Sequence, residues 1–132
     1  MLIAGLGFRE TADVASLKDA LAAAGGTEGV VALATADAKA GAAALQALAG
    51  ELGIPIFAVA PAALMAVTTL TRSDRVLERF GAGSVAEAAA LAAGGRGARL
   101  LGPRAVSRDG RATAALAMTA PEKSTSEGGE RL

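Results

Sequence analysis

Apolar residues along the chain fall into short runs divided by glycine, proline and polar positions. Met1–Leu6 is almost wholly apolar and glycine-bounded, the pattern of a short buried strand. Thr11 then stands as the expected N-cap of a helix in which Val14, Leu17, Leu21 and Ala24 recur at helical spacing, interrupted by Lys18. Gly25-Gly26 ends it. Val30–Ala34 is a second strand, followed by Thr35-Ala36-Asp37-Ala38-Lys39 and an alanine-rich helix through Leu52. Gly53 stops that helix, and Pro55 forbids its resumption. Ile56–Ala60 makes a third strand. A βαβαβ series with short connections predicts parallel pairing, right-handed crossovers and helices on both sheet faces.

The second half reads differently. Pro61 suits the first turn of a short helix, Pro61–Ala66, and Thr71 with Asp74 has the spacing of a cap for Asp74–Phe80. Ser84-Val85-Ala86-Glu87 carries the full Ser-x-x-Glu capping pattern before a helix to Ala93 that Gly94-Gly95 ends. Ala98–Gly102 and Arg111–Met118 read as strands joined through Asp109-Gly110, a strong tight-turn signal. The expected architecture is an α/β three-layer α/β/α sandwich, with a mixed, mostly parallel sheet of about five strands and a C-terminal β-hairpin. Residues 1–118 form the expected single domain. The remainder, TAPEKSTSEGGERL at Thr119–Leu132, is polar and aperiodic, the composition of a disordered tail.

Composition narrows the chemistry. The 132 residues include no cysteine and no histidine, which excludes disulfides, thiolate chemistry and any Ser-His-Asp or Cys-His hydrolase. No metal-ligand cluster stands out, and no catalytic residue, metal or cofactor is expected. The start lacks the basic residues and apolar core of a secretion signal, and no apolar run is long enough to span a bilayer. A cytoplasmic protein with no membrane partner is expected. Net charge is zero, yet residues 1–66 hold three basic and six acidic side chains (net −3), whereas residues 67–118 hold eight and four (net +4). Solvated helix faces account for most such biases, and an anionic ligand is the testable alternative. With three aromatics, all Phe, and no long basic run, nucleic acid is not an expected partner.

GLGFRE at residues 5–10 resembles a phosphate-cradling loop, but the third glycine of G-x-G-x-x-G is replaced by Glu10, whose charge opposes phosphate at a helix start. A tight turn at Gly5 and Gly7 without a ligand is the competing reading. Asp37 and Lys39 follow the second strand, at the edge where open α/β sheets bind ligands. If the first two strands are neighbours, Arg9 and Lys39 form a small cationic rim there. Ser84 and Glu87 read first as a capping pair. Arg104 follows a strand end and faces either a cleft or solvent, and Thr113 alternates with apolar residues along a strand.

In order along residues 2–118, GLGFR (5–9), LATADAK (33–39), LGIP (52–55), Thr71-Arg72-Ser73 with GAGSVAEAAA (81–90), LLGPR (100–104) and ATAAL (112–116) resemble the successive motifs of the CobE family of cobalamin-biosynthesis proteins. That family is similar to the C-terminal domain of CbiG, the cobalt-precorrin-5A hydrolase. Three departures matter. Phe8 replaces the family's cysteine, the acidic residue past the lysine is missing after Lys39, and the closing lysine is Arg104, whose planar fork suits a carboxylate.

The resemblance implies a role in building the corrin ring, with a precorrin or corrinoid intermediate as ligand and other cobalamin-pathway enzymes as partners. It also implies a ligand-binding set of Gly5, Gly7, Arg9, Asp37, Lys39, Thr71, Ser73, Ser84, Glu87, Arg104 and Thr113. Corrin intermediates carry acetate and propionate arms around an apolar macrocycle, so an apolar surface rimmed by Arg, Lys and helix N-termini is the expected receptor. Accessory binding or handover is the leading expectation. An enzyme opening a lactone or contracting a ring, with water held by Asp37 and Lys39, and a purely structural partner of a pathway enzyme are the alternatives.

Overall fold

The computed structural model describes residues 1–66 and 85–120. The expected Asp74–Phe80 helix, together with Thr71, Ser73, Ser84 and residues 121–132, lies outside the described residues.

The first strand, β1 (Leu2–Phe8), is central rather than peripheral. It pairs in parallel with β2 (Val30–Ala36), which pairs in parallel with β3 (Ile56–Val59). On its other side β1 runs antiparallel to the last strand, β6 (Ala112–Met118), from Leu2↔Met118 to Phe8↔Ala112. Two short strands, β4 (Arg99–Leu100) and β5 (Ala105–Val106), pair antiparallel with β6. The described sheet therefore has six strands in the order β3-β2-β1-β6-β4, with β5 beside β6, and is mixed as expected.

Alternation along β1 explains the layering. Ala4 and Leu6 pack with Leu17 and Leu21 of α1 (Val14–Ala24) and Leu45 and Leu48 of α2 (Ala43–Leu52). Ile3 faces the other way and packs with Leu64 of α3 (Pro61–Ala66) and Ala88 and Ala89 of α4 (Val85–Gly94). The sheet is covered by helices on both faces, the α/β/α sandwich expected from the sequence. On one face the filling side chains are mostly leucine. On the other they are mostly alanine, so α4 comes very close to the sheet.

Several local expectations change. The N-cap of α1 is Asp13, not Thr11: Asp13 is extended (φ −115°, ψ −176°), its carboxylate accepts the Ser16 N–H, and its own N–H reaches Ser16 Oγ in a reciprocal box. β2 extends to Ala36, and a 3₁₀ turn, Asp37–Lys39, precedes α2. The predicted strand Ala98–Gly102 is broken: pairing with β6 lapses after Leu101 and resumes at Ala105, across Gly102-Pro103-Arg104. Proline has no N–H to give a ladder, which confines it to such edges and interruptions. The hairpin turn is wider than Asp109-Gly110 alone. The Gly110 N–H bonds Ser107 O, and Gly110 takes φ +74°.

Candidate functional site

The predicted residues that fall within the described chain separate into two groups that meet along β1. The first surrounds the start of α4. Gly5 and Gly7 do not form a turn: both lie within β1, Gly5 opposite Ala34 and Ala115, Gly7 opposite Thr113. A Cβ on Gly5 would stand 1.9 Å from the carbonyl oxygen of Ala86 and 2.7 Å from the backbone nitrogen of Ala90. The missing side chain is what lets α4 lie on the strand. At Gly7 an added Cβ would meet Thr113 Oγ1 at 3.0 Å and Val85 Cβ at 3.3 Å. The Thr113 hydroxyl donates to Gly7 O at 3.3 Å, which ties together the two strands beneath the first turn of α4.

Glu87, in that first turn, is fully buried. Its Oε2 accepts the backbone N–H of Arg104 at 2.8 Å, so the carboxylate is tied to the break in the edge strand. Sequence spacing gave Glu87 only a capping role. The contact that joins it to a residue 17 positions away depends on the sheet topology, because Arg104 precedes Ala105, which pairs with Ala114 of β6.

The second group stands at the carboxyl ends of the parallel strands. Lys39 Nζ lies 5.3 Å from the centroid of the partly buried Phe8 ring, a cation–π distance. Arg9 follows Phe8, and its backbone N–H bonds Arg111 O at 2.9 Å. This pairing adds Arg111, which the sequence reading missed: it appears only once the closing strand is known to run antiparallel to β1. Asp37 opens the 3₁₀ turn at the same edge and is exposed. Among the described residues the salt bridges are Lys18–Glu51 at 2.7 Å and Arg108–Asp19 at 3.2 Å, so Arg9, Lys39 and Arg111 are not neutralised in this way. Three cations at the ends of β1, β2 and β6, one of them over an aromatic ring, suit an anionic ligand with apolar surface.

Beneath this rim a polar network anchors the hairpin. Asp109 accepts from the hydroxyls of Ser107 and Ser16, each at 2.6 Å, and from the Arg111 N–H at 3.0 Å. The Ser107 and Ser16 hydroxyls, together with that backbone N–H, hold the Asp109 carboxyl at about 2, well below its ordinary value. Asp13 is lowered as well, chiefly by the Ser16 backbone N–H and then by the Ser16 hydroxyl. A serine hydroxyl has one proton, and the 2.6 Å contact to Asp109 is a better claimant for it than the 3.1 Å contact to Asp13.

Among the described residues no group of three or more His, Cys, Asp or Glu is placed to hold a metal ion, and no helix is long and apolar enough to cross a membrane.

Comparison with known proteins gives this geometry a context. Residues 2–117 match the family model described as cobalamin synthesis G C-terminus. The crystal structure of CobE, a protein from the cobalamin (vitamin B12) biosynthetic pathway, is similar at 36% identity and a TM-score of 0.73, covering 92% of this chain and 93% of that one. The cobalamin biosynthesis protein chiG from Agrobacterium tumefaciens is similar at 37% identity and a TM-score of 0.67, covering 92% of this chain and 100% of that one. A cobalamin biosynthesis protein G homologue from Sulfolobus solfataricus shares the fold at 20% identity and a TM-score of 0.67, with 90% of this chain matching 37% of that longer one. No curated protein matches the chain. With the family model spanning nearly the whole described domain, and two solved structures above one-third identity over nearly their full length, the chain belongs to the family of the cobalamin synthesis G C-terminal domain.

Proposed function

We propose that this protein serves cobalamin biosynthesis by binding a precorrin or corrinoid intermediate and handing it on, at the end of the sheet where β1, β2 and β6 present their cations. The observation that carries the reading is the delivery of Arg9, Lys39 and Arg111 to one end of the sheet, with Lys39 over the Phe8 ring, in a chain whose relatives are named for the cobalamin pathway. A corrin intermediate is a flat apolar ring bearing carboxylate arms. Phe8 offers apolar surface, and the three cations offer partners for the arms.

Binding would order no catalytic group of the usual kind. With no histidine or cysteine in the sequence, proton transfer near neutral pH would fall to a carboxylate, a lysine or water. Asp37 and Lys39 share a 3₁₀ turn at the rim, which keeps a hydrolytic alternative open to direct test.

The test is an absorbance titration of the purified full chain with hydrogenobyrinic acid, whose chromophore reports its surroundings. A saturable spectral change, with the pigment recovered unaltered, is expected. Turnover lost in Lys39→Ala would replace handover with catalysis, and no spectral change would overturn the binding reading.

A further inference from the structure

Lys39 reaches Phe8 from a segment that no cap holds. The 3₁₀ turn Asp37–Lys39 has no side-chain cap at Ala36, and α2 has none at its own N-cap, Ala42. Between turn and helix stands Gly41, with open space where a Cβ would lie and no positive φ to require a glycine. Glycine has the most backbone freedom to lose, so this joint is the loosest point between Lys39 and the packed helix.

One side chain reaches back across the joint. Gln46, one turn into α2, donates from Nε2 to the carbonyl oxygen of Ala40 at 2.8 Å. Its own backbone N–H opens the helical ladder on Ala42 O at 3.0 Å. A single residue therefore holds the carbonyls on both flanks of Gly41. The Ala40 carbonyl lies before the helix start, outside the ladder of α2, so helix formation alone does not call for this bond. Ala40 directly follows Lys39, and its φ of −63° and ψ of −26° carry the curl of the turn one residue further.

We propose that Gln46 is a positioning residue for the cationic rim: it clamps the Gly41 joint and so holds Lys39 over Phe8, in place for an anionic arm of the ligand. Its part in binding rests on the corrinoid reading above, whereas its part in placing Lys39 does not. A methionine at this position is of similar length and helix propensity but has no donor, so it removes the clamp and leaves α2 formed.

The first measurement needs no ligand. In NMR spectra of the intact chain, the ring current of Phe8 should move the Lys39 ε-methylene protons upfield, a shift that Phe8→Leu abolishes. Gln46→Met should lose most of that shift while amide exchange in α2 stays as in the wild type. The second is an absorbance titration with hydrogenobyrinic acid. Lys39→Ala is expected to weaken binding about tenfold and Gln46→Met about threefold, with the double variant no weaker than Lys39→Ala alone. An unchanged Lys39 shift in Gln46→Met, or no Phe8-dependent shift in the wild type, would overturn the positioning role. Equal affinity of Gln46→Met and the wild type, or losses that simply add in the double variant, would overturn its part in binding through Lys39. A wild type that binds no pigment would overturn the corrinoid reading, and the NMR result would still decide whether Gln46 places Lys39.

Discussion

Asp109 shows how single side chains hold the cationic end of the sheet. Its carboxylate joins Ser16 in α1 to Ser107 and Arg111 on either side of the hairpin turn, so the turn that ends beside Arg9 is fixed by hydrogen bonds to a charged group. The folded-state value of about 2 lies below the ordinary 3.8, so the ionised form is favoured by folding. The stability this contributes is fully present above pH 3.8 and is lost as pH falls toward about 2. Urea unfolding of the wild type and Asp109→Asn across this range should show the variant less stable at neutral pH, with the two curves converging as the solution is acidified. Curves that stay parallel would mean that Asp109 does not carry the acid dependence. By contrast, the exposed Lys18–Glu51 pair should contribute little, at most about 1 kcal/mol.

At the scale of elements, the decisive packing is α4 on β1. Gly5→Ala would push a methyl group into the backbone of Ala86 and Ala90, and neither the helix nor the strand can yield without losing its neighbours. A loss of at least about 2 kcal/mol is expected in chemical denaturation. Gly7→Ala should cost less, because its closest contact is the Thr113 side chain. Gly50→Ala, in α2 with open space around the added methyl, should be neutral or stabilising by about 0.5–1 kcal/mol. Reversal of the order of Gly5 and Gly50 would contradict this packing account.

The same contact marks where sequence reading ran short. The strands and helices of the first half were legible because apolar runs are separated by Gly25-Gly26, Gly53 and Pro55, and each of these ends an element by backbone geometry alone. Gly5 and Gly7 were misread as a turn because a glycine needed for φ and a glycine needed for closeness look identical in one chain. The difference lies in a helix eighty residues away. Thr11 and Asp13 are both acceptable caps, and the choice was settled by Ser16, which completes the box. Glu87 was read as a cap, but its bond to Arg104 depends on where β5 falls along β6. Arg111 carried no motif, and only the antiparallel register of β1 and β6 brings it to Arg9.

For the whole molecule, the mixed sheet is what gathers charge. Parallel β1 and β2 deliver Arg9 and Lys39 to one end, and antiparallel β6 begins at that end and brings Arg111 with it. A sheet of parallel strands alone would have sent the start of the closing strand to the opposite end. The leucine-filled face is closed by α1 and α2 around Leu17, Leu21, Leu45 and Leu48. Amide hydrogen exchange of the intact chain, with and without saturating hydrogenobyrinic acid, tests the central claim most directly. The account predicts slower exchange at residues 8–10, 37–40 and 109–113, with α2 unchanged; no added protection at those strand ends, or protection confined to α1 and α2, would contradict it.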